Sequence, residues 1–215
     1  MKVLIEDVSF VKDEDLQNKP DYVTDERWEK ILRIRPLEDK KRSLLAGKLL
    51  HQMCEECELD TPMYGTAGSA KPVLVNHPQF VFNLSHSGKY VVLVYEEGAK
   101  AIGVDIQQIR AVSDGVKKRI LHEKEWVLLG DECGQKNVSV KETEGILTEE
   151  NRLLNRIWAI KESYVKMTGE GLSHDFRKLC IDFENGIVTD ENGNRACYKE
   201  LEAPDGYVVA VSIGE

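Results

Sequence analysis

The chain has no long apolar run. Nothing in its 215 residues approaches the roughly 20 consecutive apolar positions that a membrane-crossing helix needs, so no membrane partner is expected. The opening stretch Met1-Lys2-Val3-Leu4-Ile5-Glu6-Asp7 breaks its apolar run with two acids within a few residues. It does not read as a secretory signal, and a cytoplasmic location is expected. Cysteine is scarce and odd in number, five in all, which argues against a disulfide framework. Cys54 and Cys57 form a CxxC, but Cys133, Cys180 and Cys197 stand alone, so the second pair that a zinc site normally needs is missing. Cys54 and Cys57 also share an apolar helix face with Leu50 and Met53, which makes them ordinary buried thiols. Positive charge is in deficit: 29 Lys and Arg stand against 38 Asp and Glu, a net charge of -9. That balance excludes general nucleic-acid binding as an expectation.

The charge that is present is uneven. Arg27 to Lys48 holds eight bases and three acids, and Arg110 to Lys124 holds five bases and two acids. Basic patches on an acidic chain point to a specific anionic ligand or partner, or else to solvated helix faces. With 41% hydrophobic and 31% charged residues the chain should be globular, as one large or two small domains.

The periodicity predicts a helix over 25–57, with Leu44, Leu45, Leu49, Leu50, Met53 and Cys54 as its buried stripe. A Gly/Pro/Ser-rich stretch over 61–78 reads as loop. Strand-like runs follow at 80–84, 90–95 and 101–106, the last two joined by a tight turn at Glu96-Glu97-Gly98. A second helix is expected over 116–129, ended by Gly130, then a polar connector over 131–150. Thr148 should N-cap a third helix. Strands at 179–183 and 207–213, with Asn-Gly turns at 184–186 and 191–193, complete the chain as antiparallel hairpins. Each half thus reads as a helix followed by about three strands. The expected fold is α+β: two similar lobes related by a pseudo-twofold duplication, 1–101 and 102–215, each a helix on a small mainly antiparallel sheet, with the site in the cleft between them.

Three features carry chemistry. Ala101-Ile102-Gly103-Val104 ends in the carboxylate of Asp105. Trp158-x-x-Lys161-Glu162-Ser163-x-x-Lys166 lies on the third helix, where Glu162 and Lys166 are four apart and share a face. Asn83-Leu84-Ser85-His86-Ser87-Gly88 lies between two strands and offers hydroxyls, an imidazole and close backbone approach. Singly these are a turn acid, an exposed ion pair and a polar hairpin turn. Together, a strand-end carboxylate with a Glu/Lys pair suits a metal ion and a phosphate, and hence phosphoryl-type transfer.

In this order and spacing the motifs resemble the signature of the 4'-phosphopantetheinyl transferases, most closely the two-lobed, monomeric Sfp type. Ala70-Lys71-Pro72, Arg42-Ser43-Leu44-Leu45 and Gly169-x-Gly171-Leu172 fit as well, and the resemblance spans roughly residues 27–172. It implies an enzyme that takes coenzyme A and an acyl or peptidyl carrier protein, moves the phosphopantetheine arm to a carrier serine and releases 3',5'-ADP with the help of Mg²⁺. It further implies that Asp105 is the main metal ligand and that Glu162 is the general base and a second ligand. Lys166 would face the phosphates and the leaving oxygen. Ser85 and His86 would hold phosphate oxygens, Lys71 and Pro72 would line the adenine pocket, and Arg42 and Lys30 would answer the 3'-phosphate. Many members carry a second acid two residues after the aspartate. Here it is Gln107, which would serve through its amide oxygen or through a water. Lys117, Lys118 and Arg119 would meet the carrier. Its pathway stays open among fatty acid, polyketide and nonribosomal peptide assembly. Two other readings remain: a carrier-binding module without turnover, and a metal-dependent enzyme on another nucleotide.

Overall fold

The structure, a computed structural model, describes residues 1–67, 71–130, 148–171 and 174–214. Strand β1 (Lys2–Asp7) leads through 3-10 turns into helices α1 (Asp25–Arg33) and α2 (Leu37–Glu56). The single helix expected over 25–57 is broken by Pro36, which holds the N-cap of α2 in an extended conformation while Ile34 ends α1 the same way. The stretch expected to be loop contains a two-stranded ribbon, β2 (Tyr64–Ala67) and β3 (Lys71–Leu74). Strands β4 (Phe80–Ser87), β5 (Tyr90–Glu97) and β6 (Ala101–Gln108) follow as expected. Helix α3 (Asp114–Ile120) is shorter than predicted. Leu121 turns extended, and His122 starts a 3-10 turn, Glu123–Leu129, that Gly130 closes in the left-handed region. The polar connector lies mostly outside the described residues. Helix α4 (Glu149–Thr168) begins where expected, with Thr148 Oγ1 accepting from the Asn151 amide at 3.1 Å. Short strands β7 (Cys180–Asp182) and β8 (Ile187–Thr189), then β9 (Arg195–Leu201) and β10 (Tyr207–Gly214), close the chain.

Among the described residues all strand pairings are antiparallel. One sheet has the order β1-β5-β4 and the other β6-β10-β9-β8-β7. Side chains of the central strands alternate between two faces with the period of two that a pleat imposes, and both faces are covered, so β5, β6 and β10 are buried almost end to end. In β5, Val91, Leu93 and Tyr95 pack against α2, whereas Val92 and Val94 face the second sheet. There they meet Ile102, Val104 and Ile106 of β6 and Tyr207, Val209 and Val211 of β10. The opposite face of β10, Val208 and Ala210, packs on Leu154, Ile157 and Ile160 of α4. The layers therefore run α2, sheet, sheet, α4, with an apolar slab between the two sheets. Among the described residues no helix is long and apolar enough to cross a membrane.

One feature of this stack positions the site. Gly103 on β6 faces α4, and a Cβ there would land on the Ser163 carbonyl and the Met167 amide. Only glycine lets the strand touch the helix backbone. The next residue on that face is Asp105, opposite the turn of α4 that carries Glu162 and Lys166.

Candidate active site

Asp105 is 2% exposed and collects three donors. Ser85 Oγ and Lys166 Nζ both reach Oδ1 at 2.7 Å, and the Gln107 side-chain amide donates to Oδ2 at 2.7 Å. Lys166 Nζ also donates to Ser85 Oγ at 2.8 Å. A strand carboxylate from the second sheet, a helix lysine and a hydroxyl from β4 of the first sheet thus meet at one point. Glu162, 6% exposed, lies one helical turn before Lys166, and its Oε2 is buried without a hydrogen-bond partner. Burial pushes its carboxyl above the ordinary glutamate value; Lys166 pulls it back and the Asp105 charge adds to the rise. A buried carboxylate oxygen left unsatisfied is costly, and such groups mark sites that await a cation or a proton.

Two further predicted residues border this knot. Arg42 donates through Nη1 to the Gly88 carbonyl at 2.7 Å and pairs through Nη2 with Asp39, while its Nε is buried without a partner. His86 sits at the solvent-accessible rim. Desolvation of the imidazole, with Arg42 and Lys166 nearby, holds it below the usual histidine value. Gly88 turns the chain between β4 and β5 at φ +52°, where a Cβ would strike the Tyr207 hydroxyl.

The remaining predicted residues lie elsewhere. Lys30, paired with Glu26 at 2.7 Å, and Pro72 line a separate cavity of about 430 Å³ between α1, α2 and the β2–β3 ribbon. Lys71 turns its ammonium onto the carbonyls of Ile102 at 2.8 Å and Met167 at 3.1 Å, and burial lowers it to about 8. Its stem and Pro72 are what remain to line a base pocket. Arg27 is a residue that motif reading passed over. It lines the same cavity as Lys30 and is held by two bonds at 3.1 Å to the Ser43 carbonyl. The one signal for it was its place at the head of the basic segment, one helical turn before Lys30.

Other motif residues are structural. Lys161 is fully buried, bonded to Glu125 at 2.6 Å and to the carbonyls of Ile120 and Phe176. Ser163 shares a 2.8 Å hydroxyl contact with Ser212 of β10. Cys54 lies 3.4 Å from the Tyr64 hydroxyl, and burial raises both Cys54 and Cys57. Among the described residues no three His, Cys, Asp or Glu side chains converge as a metal cluster. The oxygen donors at hand are Asp105, Glu162 and the Gln107 amide. They fit a hard cation such as Mg²⁺ that keeps several waters and shares phosphate oxygens.

The sequence pattern of the 4'-phosphopantetheinyl transferase superfamily matches residues 101–212, from the start of β6 into β10. The chain is 27% identical over 197 residues to the 4'-phosphopantetheinyl transferase Sfp of Bacillus subtilis (strain 168), covering 88% of this chain and 81% of that one. It is 28% identical to psf-1 of Bacillus pumilus, over 74% of this chain and 62% of the other. It is also 28% identical to the mouse L-aminoadipate-semialdehyde dehydrogenase-phosphopantetheinyl transferase, over 80% of this chain and 61% of that protein. Among solved structures, the Thermotoga maritima holo-[acyl-carrier-protein] synthase aligns with a TM-score of 0.37 at 20% identity, covering 54% of this chain and 62% of the other. That overlap is too loose to bear on the fold. The sequence match takes in β6 with Asp105 and the whole of α4, the two elements that Gly103 brings into contact, and the chain belongs to the 4'-phosphopantetheinyl transferase superfamily, among its Sfp-type members.

Proposed function

We propose that this protein transfers the 4'-phosphopantetheine arm of coenzyme A to a serine of an acyl or peptidyl carrier protein and releases 3',5'-ADP. The observation that carries the reading is the buried, unpartnered Glu162 oxygen beside the Asp105–Lys166–Ser85 knot. In the reaction the carrier serine oxygen bonds to the phosphorus bearing pantetheine, and the bond from that phosphorus to the bridging diphosphate oxygen breaks. Glu162 accepts the serine proton; burial, which raises its carboxyl above the ordinary glutamate value, makes it a stronger base than an exposed glutamate. Lys166 neutralises charge building on the leaving oxygen, and Ser85 and His86 donate to phosphate oxygens. Asp105 and Glu162 would hold Mg²⁺, with Gln107 contributing an amide oxygen or a water; the ion would supply charge neutralisation across the diphosphate. Arg42 answers the 3'-phosphate, and Lys30 with Arg27 extends the cationic wall toward the cavity that Pro72 borders.

The two-lobed arrangement, 1–101 and 102–215, belongs to the same reading. It is supported by each half carrying one long helix on an antiparallel sheet, although one sheet has three strands and the other five. For carrier docking, Lys117 is already committed to Glu150 at 2.6 Å and Asp114 at 3.3 Å, which leaves Lys118 and Arg119 as the outward cations of α3.

Mass spectrometry of carrier proteins incubated with this chain, coenzyme A and Mg²⁺ tests the reading. One phosphopantetheine gained on a serine is expected, with loss of transfer on chelation. Gln107 favours a second reading, a carrier-binding module without turnover, because a neutral amide stands where a carboxylate could bind metal. Carrier binding with no mass gain would select it. Equal use of 3'-dephospho coenzyme A would instead remove the role given to Arg42 and Lys30. Within the enzymatic reading, Gln107→Glu should lower the Mg²⁺ concentration for half-maximal rate; an unchanged titration would remove Gln107 from the metal's surroundings.

A further inference from the structure

β6 is an edge strand: β10 pairs along one side, and the amides of Val104, Ile106 and Gln108 point away from it. An open edge exposes a row of backbone donors and acceptors that must be blunted or covered. Here it is covered by side chains. Asn83 Oδ1 accepts from the Val104 amide at 2.9 Å, Ser85 Oγ from Ile106 at 3.5 Å, and Ser87 Oγ from Gln108 at 3.0 Å. The donors and acceptors advance two residues at a time on both strands, so the sequence offset is 21 at every rung. Alternate residues of β4 project to one face, and the same face of the neighbouring β5 carries Val94, Val92 and Tyr90 directly opposite 83, 85 and 87. The inner face of the first sheet therefore passes from apolar on β5 to hydrogen-bonding on β4, along the edge of β6 that carries Asp105. Asp105 lies between the first two rungs, and the middle rung, Ser85, bonds its carboxylate directly.

We infer that Asn83 and Ser87 are positioning residues: they lock β6 against β4 in a fixed register and thereby aim the Asp105 carboxylate at the metal and diphosphate. The inference rests on the function proposed above and adds to it two residues that touch no reacting atom. Ser85 bonds both the strand and the carboxylate, so it cannot report on register alone; the outer rungs can. Residues that orient a metal ligand from behind typically change metal affinity 10- to 100-fold when removed.

The test measures Mn²⁺ binding by electron paramagnetic resonance in the presence of 3',5'-ADP, alongside steady-state transfer kinetics and thermal unfolding, on the full chain. Asn83→Ala and Ser87→Ala should each weaken Mn²⁺ binding about tenfold or more and lower kcat, with the KM for carrier protein unchanged. Ser87→Thr, which keeps the acceptor oxygen, should restore both, as should Asn83→Asp, which keeps an oxygen for the Val104 amide. Ser87 is only half-buried, so its variants remain informative even if Asn83→Ala fails to fold. Weakened folding with Mn²⁺ affinity at the wild-type value would overturn the inference and leave the rungs as plain structural pairing. Wild-type protein that transfers the arm but binds Mn²⁺ no more tightly than its Ser87→Ala variant sinks the inference alone. Wild-type protein that neither binds Mn²⁺ nor transfers the arm sinks the proposed function and the inference with it.

Discussion

At the scale of single residues, Lys71 shows how a side chain's destination is decided by contacts far along the chain. Its ammonium bridges carbonyls 31 and 96 residues away, one at the start of β6 and one in the last turn of α4. Burial holds it at about 8 instead of the ordinary 10.5. Between those values the unfolded chain keeps a proton that the folded chain has shed, so stability rises with pH across that window. Lys71→Met removes the linkage. The melting temperature of the wild type relative to this variant should therefore climb from pH 7 to pH 9.5 in paired calorimetry, and a flat difference would place the group in water. Asp105, Glu162, Lys166, Ser85 and His86 were legible because each sits in a short motif whose chemistry is local. Lys71 and Pro72 were legible as a motif, but the direction of the Lys71 ammonium was not, since nothing near position 71 encodes Met167. Arg27 was hidden because one arginine among eight clustered bases has no distinguishing pattern; its position is set by Gly47, where a Cβ would come within 3.1 Å of its Nε.

At the scale of elements, the contact between β6 and α4 governs whether the acidic and basic groups of the site meet. Gly103 permits it, and the Ser163–Ser212 hydroxyl pair fixes the roll of α4 against β10. Gly103→Ala puts a methyl group into helix backbone that cannot rotate aside. It should cost about 3 kcal/mol of stability by overpacking. Transfer should fall by two orders of magnitude or more, because displacing α4 separates Lys166 from Asp105. Urea unfolding and transfer kinetics check the two effects, and near-normal values in both would mean the helix and strand are not in backbone contact. The elements that sequence reading found were those with strong periodicity: the α2 stripe, β5, β6, the α4 motif and β10. Those missed had little of it. β1 is six residues with no turn signal before it, and the β2–β3 ribbon is buried among Gly and Pro. β8 is three residues long, and β9 is mostly exposed and polar. The helix break at Pro36 came from a backbone preference that apolar spacing does not register, and the one at Leu121 from the His122 cap that starts a new 3-10 turn.

At the scale of the whole molecule, the apolar slab couples what the sequence presents as two halves. Val92, Val94, Ile102, Val104, Ile106, Val209 and Val211 are each 2% exposed or less, and the slab takes residues from both sheets. Burying one such side chain is worth about 1.5–3 kcal/mol, so neither sheet is stable with its inner face in water. The protein should unfold as one unit: scanning calorimetry should give a single transition whose van't Hoff and calorimetric enthalpies agree. Two resolved transitions would show that each sheet is stabilised mainly by its own helix. The slab also governs what a nick would do. The turn at Gly98 joins β5 to β6 across the slab, so two pieces cleaved there would each present a sticky stripe of valine and isoleucine. They should aggregate when kept apart and recover activity by complementation when mixed.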